Sequence, residues 1–237
     1  MSARALLAIA LSAVGLSLAG GAAAIEITRT DNGVSVTYRD ASDALDKPMR
    51  ERILKTFFHA YAAERRDFNP AAPDKALITI DPSYDGIAFV GSDAWAKMTI
   101  NPAWLVKHPG DTDLVTHEAM HIVQGYPDYG NDKAPTWLVE GIADYARDKY
   151  GIDNAAGGWK LPTEVKEKQH YDTGYRVSGA FLKWVEGQHP GAVKRFDGAL
   201  RTGAYTPALW TSATGKDVAT LWTQYVTARG GIKPAKG

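Results

Sequence analysis

Residues 115–125 read VTHEAMHIVQG, and two histidines and a glutamate within that stretch limit what this chain can become more than any other feature. On an α-helix, residues four apart lie about 40° from each other around the axis, so His117 and His121 point the same way, one turn apart. Two imidazoles so placed can hold one metal ion. Glu118, offset by one residue, can touch a water on that ion without occupying it, which suits a general base. The competing reading is a pair of surface histidines with Glu118 on the solvated side. With six histidines in the whole chain, a chance match to this pattern is rare, on the order of one in a hundred. His59, His108, His170 and His189 have no partner at such spacing and read as ordinary surface or packing residues.

The chain contains no cysteine, so thiolates are excluded and a metal must be held by His, Asp and Glu. That donor set suits zinc, and a catalytic zinc needs a third protein ligand with the fourth position left to water. The stretch APTWLVEGIADYAR supplies one: Glu140 follows His121 after eighteen intervening residues, beyond a Gly- and Pro-bearing turn that lets a second helix fold back over the first. Asp144 lies four residues on, on the same helical face. It is placed to accept the free ring N–H of a ligand histidine and fix its tautomer, or else it is a surface acid at helical spacing.

Arg4 followed by the apolar run 5–18 and the small residues Ala22, Ala23 and Ala24 has the layout of a secretory signal peptide. The run is short for a bilayer span and no basic stop-transfer cluster follows it. Residues 1–24 are therefore read as a signal peptide and 25–237 as a single domain, exported to the periplasm or medium and not inserted in the membrane after cleavage. Basic and acidic residues number 27 each; removing Arg4 leaves 26 against 27, a formal charge of −1. Such neutrality argues against nucleic acid as a partner, and oligomeric state leaves no mark on the sequence.

IEITRTDNGVSVTYRD alternates apolar and polar residues about Asn32-Gly33, the strongest short-range hairpin signal. Asp46 as N-cap, Pro48 in the first turn and Ile53, Leu54, Phe57, Phe58 and Tyr61 at helical spacing predict a helix packed on a sheet. Three short strands follow, at 76–80, 86–90 and 96–100, the last placed at the sheet edge. Helical patterns then run over 111–125, 136–150, 172–187, 190–201 and 217–228. The stripes Val177, Ala180, Phe181, Trp184, Val185 and Val218, Leu221, Trp222, Tyr225, Val226 read as core. Trp95, Trp104 and Trp159 either line a cleft or complete that core. GIDNAAGGWKLPTE reads as the most mobile loop. Strands first and helices afterwards give an α+β domain: an N-terminal mixed sheet with helices, then the histidine-bearing helix and a mainly helical C-terminal part.

HEAMH followed at this distance by EGIAD resembles the gluzincin branch of zinc metallopeptidases. The longer series IDPSYDGIAFV, THEAMHIVQG, APTWLVEGIADYAR, YDTGYRVSGAFLKW and LWTQY, covering roughly residues 30–226, resembles the basic secretory protein family of plant and bacterial peptidases. The resemblance implies a zincin-like fold, an extracellular location and proteolysis of peptide or protein substrates, with His117, His121 and Glu140 as zinc ligands and Glu118 as base. It also makes residues 96–100 the candidate edge strand that holds extended substrate. This chain is neutral where the family name says basic, which counts against binding to acidic cell-wall polymers.

In such a reaction Glu118 takes a proton from metal-activated water and passes it to the leaving amine. A hydrogen-bond donor to the oxyanion is sought in YDTGYRV, where Tyr175 is favoured over Tyr171, either of which can instead be a packed tyrosine. Activity is expected to fall below about pH 6, as the histidines protonate. Two rivals remain at this level: an exported defence or cell-wall-associated protein whose zinc is structural, which has no use for Glu118, and a zinc hydrolase acting on a non-peptide amide.

Overall fold

The computed structural model describes residues 24–91 and 96–233. The signal-peptide reading, apart from Ala24, and Trp95 lie outside these residues.

Two strands, β1 (Ile25–Asp31) and β2 (Val34–Asp40), form the expected hairpin, with Asp31 paired to Val34. Asn32 and Gly33 adopt φ of 46° and 79°, the left-handed pair that a two-residue turn of this twist demands. Helix α1 (Lys47–Asp67) starts where Asp46 accepts a hydrogen bond from the Met49 N–H. It crosses from β2 to β3 (Lys75–Ile80), and the two strands run parallel. Ile53, Leu54, Phe57 and Tyr61 are buried and Phe58 partly so, which places the expected apolar stripe against the sheet.

Strands β4 (Ala88–Val90) and β5 (Lys97–Ile100) complete a five-stranded sheet in the order β1-β2-β3-β5-β4. Residues 97–100 therefore do not form the edge. β5 is sandwiched between β3, to which it is parallel, and β4, which is antiparallel and outermost. Met98, Thr99 and Ile100 are all buried, as an interior strand requires.

Helix α2 (Pro102–Lys107) follows, capped by Asn101, whose side chain accepts from the Ala103 N–H. At six residues it is too short to announce itself by periodicity. Next come α3 (Leu114–Gln124), α4 (Thr136–Tyr150), α5 (Tyr175–Gln188), α6 (Ala192–Arg201), α7 (Ala208–Thr214) and α8 (Val218–Ala228). A small parallel pair, β6 (Val165–Lys166) and β7 (Ile232–Lys233), lies apart from the main sheet.

Both C-terminal stripes are core. The Phe181 ring sits 5.4–5.9 Å from those of Trp222, Tyr225 and Trp210, and Trp210 comes from α7, which lacks a helical signature in sequence. Trp104 donates its indole N–H to Asp111, and the Arg147 guanidinium lies over Trp159 at 4.4 Å, so both complete packing rather than line the cleft. The loop after α4, expected to be mobile, is tied down. Asp113 accepts the backbone N–H groups of Ile152 and Asp153 at 2.8 and 2.6 Å, and Asn154 bonds the Arg147 side chain and carbonyl at 2.9 Å each.

α4 and α5 pack closely because each is a glycine where the other passes. A methyl group on Gly141 would come within 2.8 Å of the Ser178 Cβ, and one on Gly179 within 3.0 Å of the Asp144 Cβ. Gly141 directly follows Glu140 on α4.

Candidate metal centre

α3 ends at Gly125, whose φ of 50° is the left-handed stop that lets the chain reverse into α4. The reversal brings the two helices side by side, and every residue of α3 is buried. The Nε2 atoms of His117 and His121 lie 3.1 Å apart, and Glu140 Oε2 is 3.2 Å from the first and 3.5 Å from the second. A tetrahedral zinc with bonds of about 2.0–2.1 Å separates its donors by roughly 3.3 Å, so the triangle has the size of a zinc ligand set. Its N, N, O composition is also what zinc accepts without thiolate.

The other ring nitrogens are occupied. His117 donates its Nδ1–H to Asp144 Oδ1 at 2.7 Å, and His121 donates to Gln124 Oε1, also at 2.7 Å. Gln124 is fixed in turn by donating to the Val139 carbonyl at 3.0 Å. Both imidazoles are thereby held in the tautomer that leaves Nε2 free for a metal. Asp144 occupies the place expected from its spacing. Gln124 is absent from the residues that the zinc-ligand spacing marks, although its position three residues after His121, on the same helix face, is a readable signal.

Glu118 stands outside the triangle. It is 8% exposed, and its Oε2 is buried with no hydrogen-bond partner among the described residues. Burial raises the Glu118 pKa above its ordinary value, against the pull of the two histidines. A carboxylate oxygen so placed, basic and unsatisfied beside three metal-type donors, fits a proton acceptor better than a structural role.

The cleft over these residues has a volume of about 380 Å³. Ala88, Phe89 and Val90 of the edge strand form one wall, and Tyr84, Tyr126, Tyr129 and Tyr175 also line it. Tyr175 is 57% exposed, with its ring stacked 6.3 Å from that of His117. Its φ of 45° is a strained value for an aromatic residue, of the kind that persists where the surroundings impose it. Tyr171 faces elsewhere, against Trp137 and His170 at 5.0 and 4.2 Å. Tyr129, which no periodic pattern marks, donates to Glu140 Oε1 at 2.5 Å.

Burial alone lowers the pKa of both histidines, but the acids around them win: Asp144 and Glu140 raise His117 well above its ordinary value, and Glu140 raises His121. Burial pushes the Glu140 carboxyl up, yet the two imidazoles hold it far below the usual range.

Residues 34–225 match the family described as BSP, peptidase of plants and bacteria. The chain belongs to that family. The match spans β2 to α8 and so contains the whole ligand triangle, Glu118 and the cleft. No curated protein matches the sequence. Among solved structures the chain is similar to an M1 zinc metallopeptidase from Deinococcus radiodurans, with a TM-score of 0.41 and 16% identity. It is also similar to a mutant of a two-domain M1 zinc metallopeptidase bound to L-arginine, with a TM-score of 0.43 and 18% identity. Each alignment covers 88% of this chain and 49% of the other, so the chain spans about half the length of these structures.

Proposed function

We propose that this BSP peptidase is an exported zinc enzyme in which His117, His121 and Glu140 hold the metal, Glu118 is the general base and Tyr175 stabilises the oxyanion. The observation that carries the reading is the triangle of three donors with an unsatisfied Glu118 oxygen beside it. Zinc, when bound, supplies a Lewis acid that acidifies water and polarises a carbonyl oxygen.

The chain's own residues do the rest. Glu118 accepts a proton from water at the floor of the cleft and delivers it to the leaving amide nitrogen, which its raised pKa favours. The Tyr175 hydroxyl, on the cleft wall, donates to the oxygen on which negative charge develops. The edge strand β4, not β5, holds the substrate: β4 pairs with β5 on one side, and its residues line the cleft, so an extended peptide can add to it through backbone hydrogen bonds. Recognition of that kind is tolerant of side chains.

Digestion of a mixed peptide library, read by mass spectrometry, tests the assignment. Zinc-dependent cleavage at backbone amides is the expected result; turnover confined to small acylated amines would replace the peptidase with an amide hydrolase.

The export reading rests on the sequence of residues 1–24, and among the described residues no helix is long and apolar enough to cross a membrane. N-terminal sequencing of the mature protein should read Ile-Glu-Ile; a retained Met1 would refute cleavage.

The raised histidine pKa values set a pH window. Both rings must be neutral to bind zinc, so protons compete from above pH 6.5, the ordinary histidine value, rather than only below it. In the metal-free protein the sign is opposite: stability from the charged histidines is present below their unfolded pKa and lost as pH rises through the folded one. The rise in melting temperature caused by zinc should therefore be small at about pH 6 and grow toward about pH 8. A rise constant across that interval would contradict the histidine assignment.

A further inference from the structure

We propose that Tyr129 is a positioning residue for the metal, fixing which oxygen of Glu140 is offered to it; this rests on the zinc reading above. The two carboxylate oxygens of Glu140 have different partners. Oε1 accepts the Tyr129 hydroxyl at 2.5 Å, while Oε2 faces the Nε2 atoms of His117 and His121 at 3.2 and 3.5 Å. An ionised carboxylate has two equivalent oxygens and about four lone-pair sites, so nothing intrinsic to glutamate makes this choice. The phenol makes it. With Oε1 engaged, one oxygen alone is presented, and a one-oxygen ligand preserves the open position that a catalytic zinc needs for water.

Tyr129 is able to hold Glu140 because its own loop is ordered. Gly130 donates its N–H to the Ala134 carbonyl at 2.8 Å, and Asn131 Oδ1 accepts from Lys133 and Ala134 at 2.9 and 3.1 Å. The Asn131 amide in turn donates to Asp128 at 3.0 Å. The tyrosine is thus carried on a hydrogen-bonded turn between the helix that bears the histidines and the helix that bears Glu140. Tyr129 is 49% exposed and lines the cleft, so the same side chain that orients the ligand also meets incoming substrate.

Tyr129→Phe removes the hydroxyl and keeps the ring. Chelator competition should show zinc bound about ten- to a hundredfold more weakly, the usual cost of losing a partner of a metal ligand. Turnover should recover as zinc is added. Tyr175→Phe lines the same cleft but its hydroxyl makes no described hydrogen bond to Glu140; its zinc affinity should stay within about twofold of wild type, with turnover that added zinc does not restore. Because folding could shift with either change, the zinc-induced rise in melting temperature is read within each variant, and it should shrink for Tyr129→Phe alone. Zinc affinity and zinc-induced rise both unchanged in Tyr129→Phe would overturn this proposal while leaving the zinc enzyme standing. A wild-type chain that takes up no zinc would overturn both.

Discussion

Glu118→Gln is expected to keep close to one zinc per chain while hydrolysis of any peptide the native protein cleaves falls by at least about a hundredfold, the usual scale for a general base. Glutamine has the size of glutamate and the same oxygen acceptor, but it cannot take a proton. Glu118 lies outside the His117, His121 and Glu140 triangle, and among the described residues its Oε2 has no partner to lose. The substitution also removes a buried carboxylate whose charged form burial disfavours, so the fold should be no less stable. Assay of zinc by mass spectrometry beside turnover on one peptide reads both quantities from a single preparation. Loss of zinc in this variant would place Glu118 among the ligands; unchanged turnover would end its role as base.

Glu140→Ala should fail in the opposite order, losing the metal first. It removes the one oxygen donor of the triangle and leaves two imidazoles, and it deprives the Tyr129 hydroxyl of its acceptor at 2.5 Å. Zinc affinity is expected to fall by more than about a hundredfold, beyond what loss of a supporting partner costs, with activity restored in part at best by excess metal. Equilibrium dialysis against graded zinc measures this directly. Retention of zinc at wild-type affinity would remove Glu140 from the ligand set.

The parts of this molecule that were legible in its sequence are those with a short repeat. The hairpin follows from Asn32-Gly33 between alternating residues, and α4 runs over Thr136–Tyr150 as its pattern predicts. The meeting of His117, His121, Glu140 and Asp144 follows from a spacing of four on each of two helices that the chain between them folds side by side. Strand order was not legible, because it depends on pairings between distant segments: 86–90 and 96–100 both read as strands and nothing local says which is outermost, yet β4, three residues long, is the edge that faces the cleft. Irregular segments were also silent. The loop at 151–164 has a mobile composition, but Asp113, forty residues before Asp153, anchors it. Tyr129 reaches Glu140 from a turn with no period at all, and Tyr175 is aimed by a left-handed backbone that nothing in YDTGYRV demands.

One zinc held by His117, His121 and Glu140 is proposed to be what makes this chain a peptidase. Its most direct test is to strip the purified mature protein with a chelator, follow cleavage of a susceptible peptide, and titrate zinc back while counting bound metal. No cleavage is expected without metal, with recovery that reaches its plateau at about one zinc per chain. Full cleavage by protein shown to be free of zinc would contradict it.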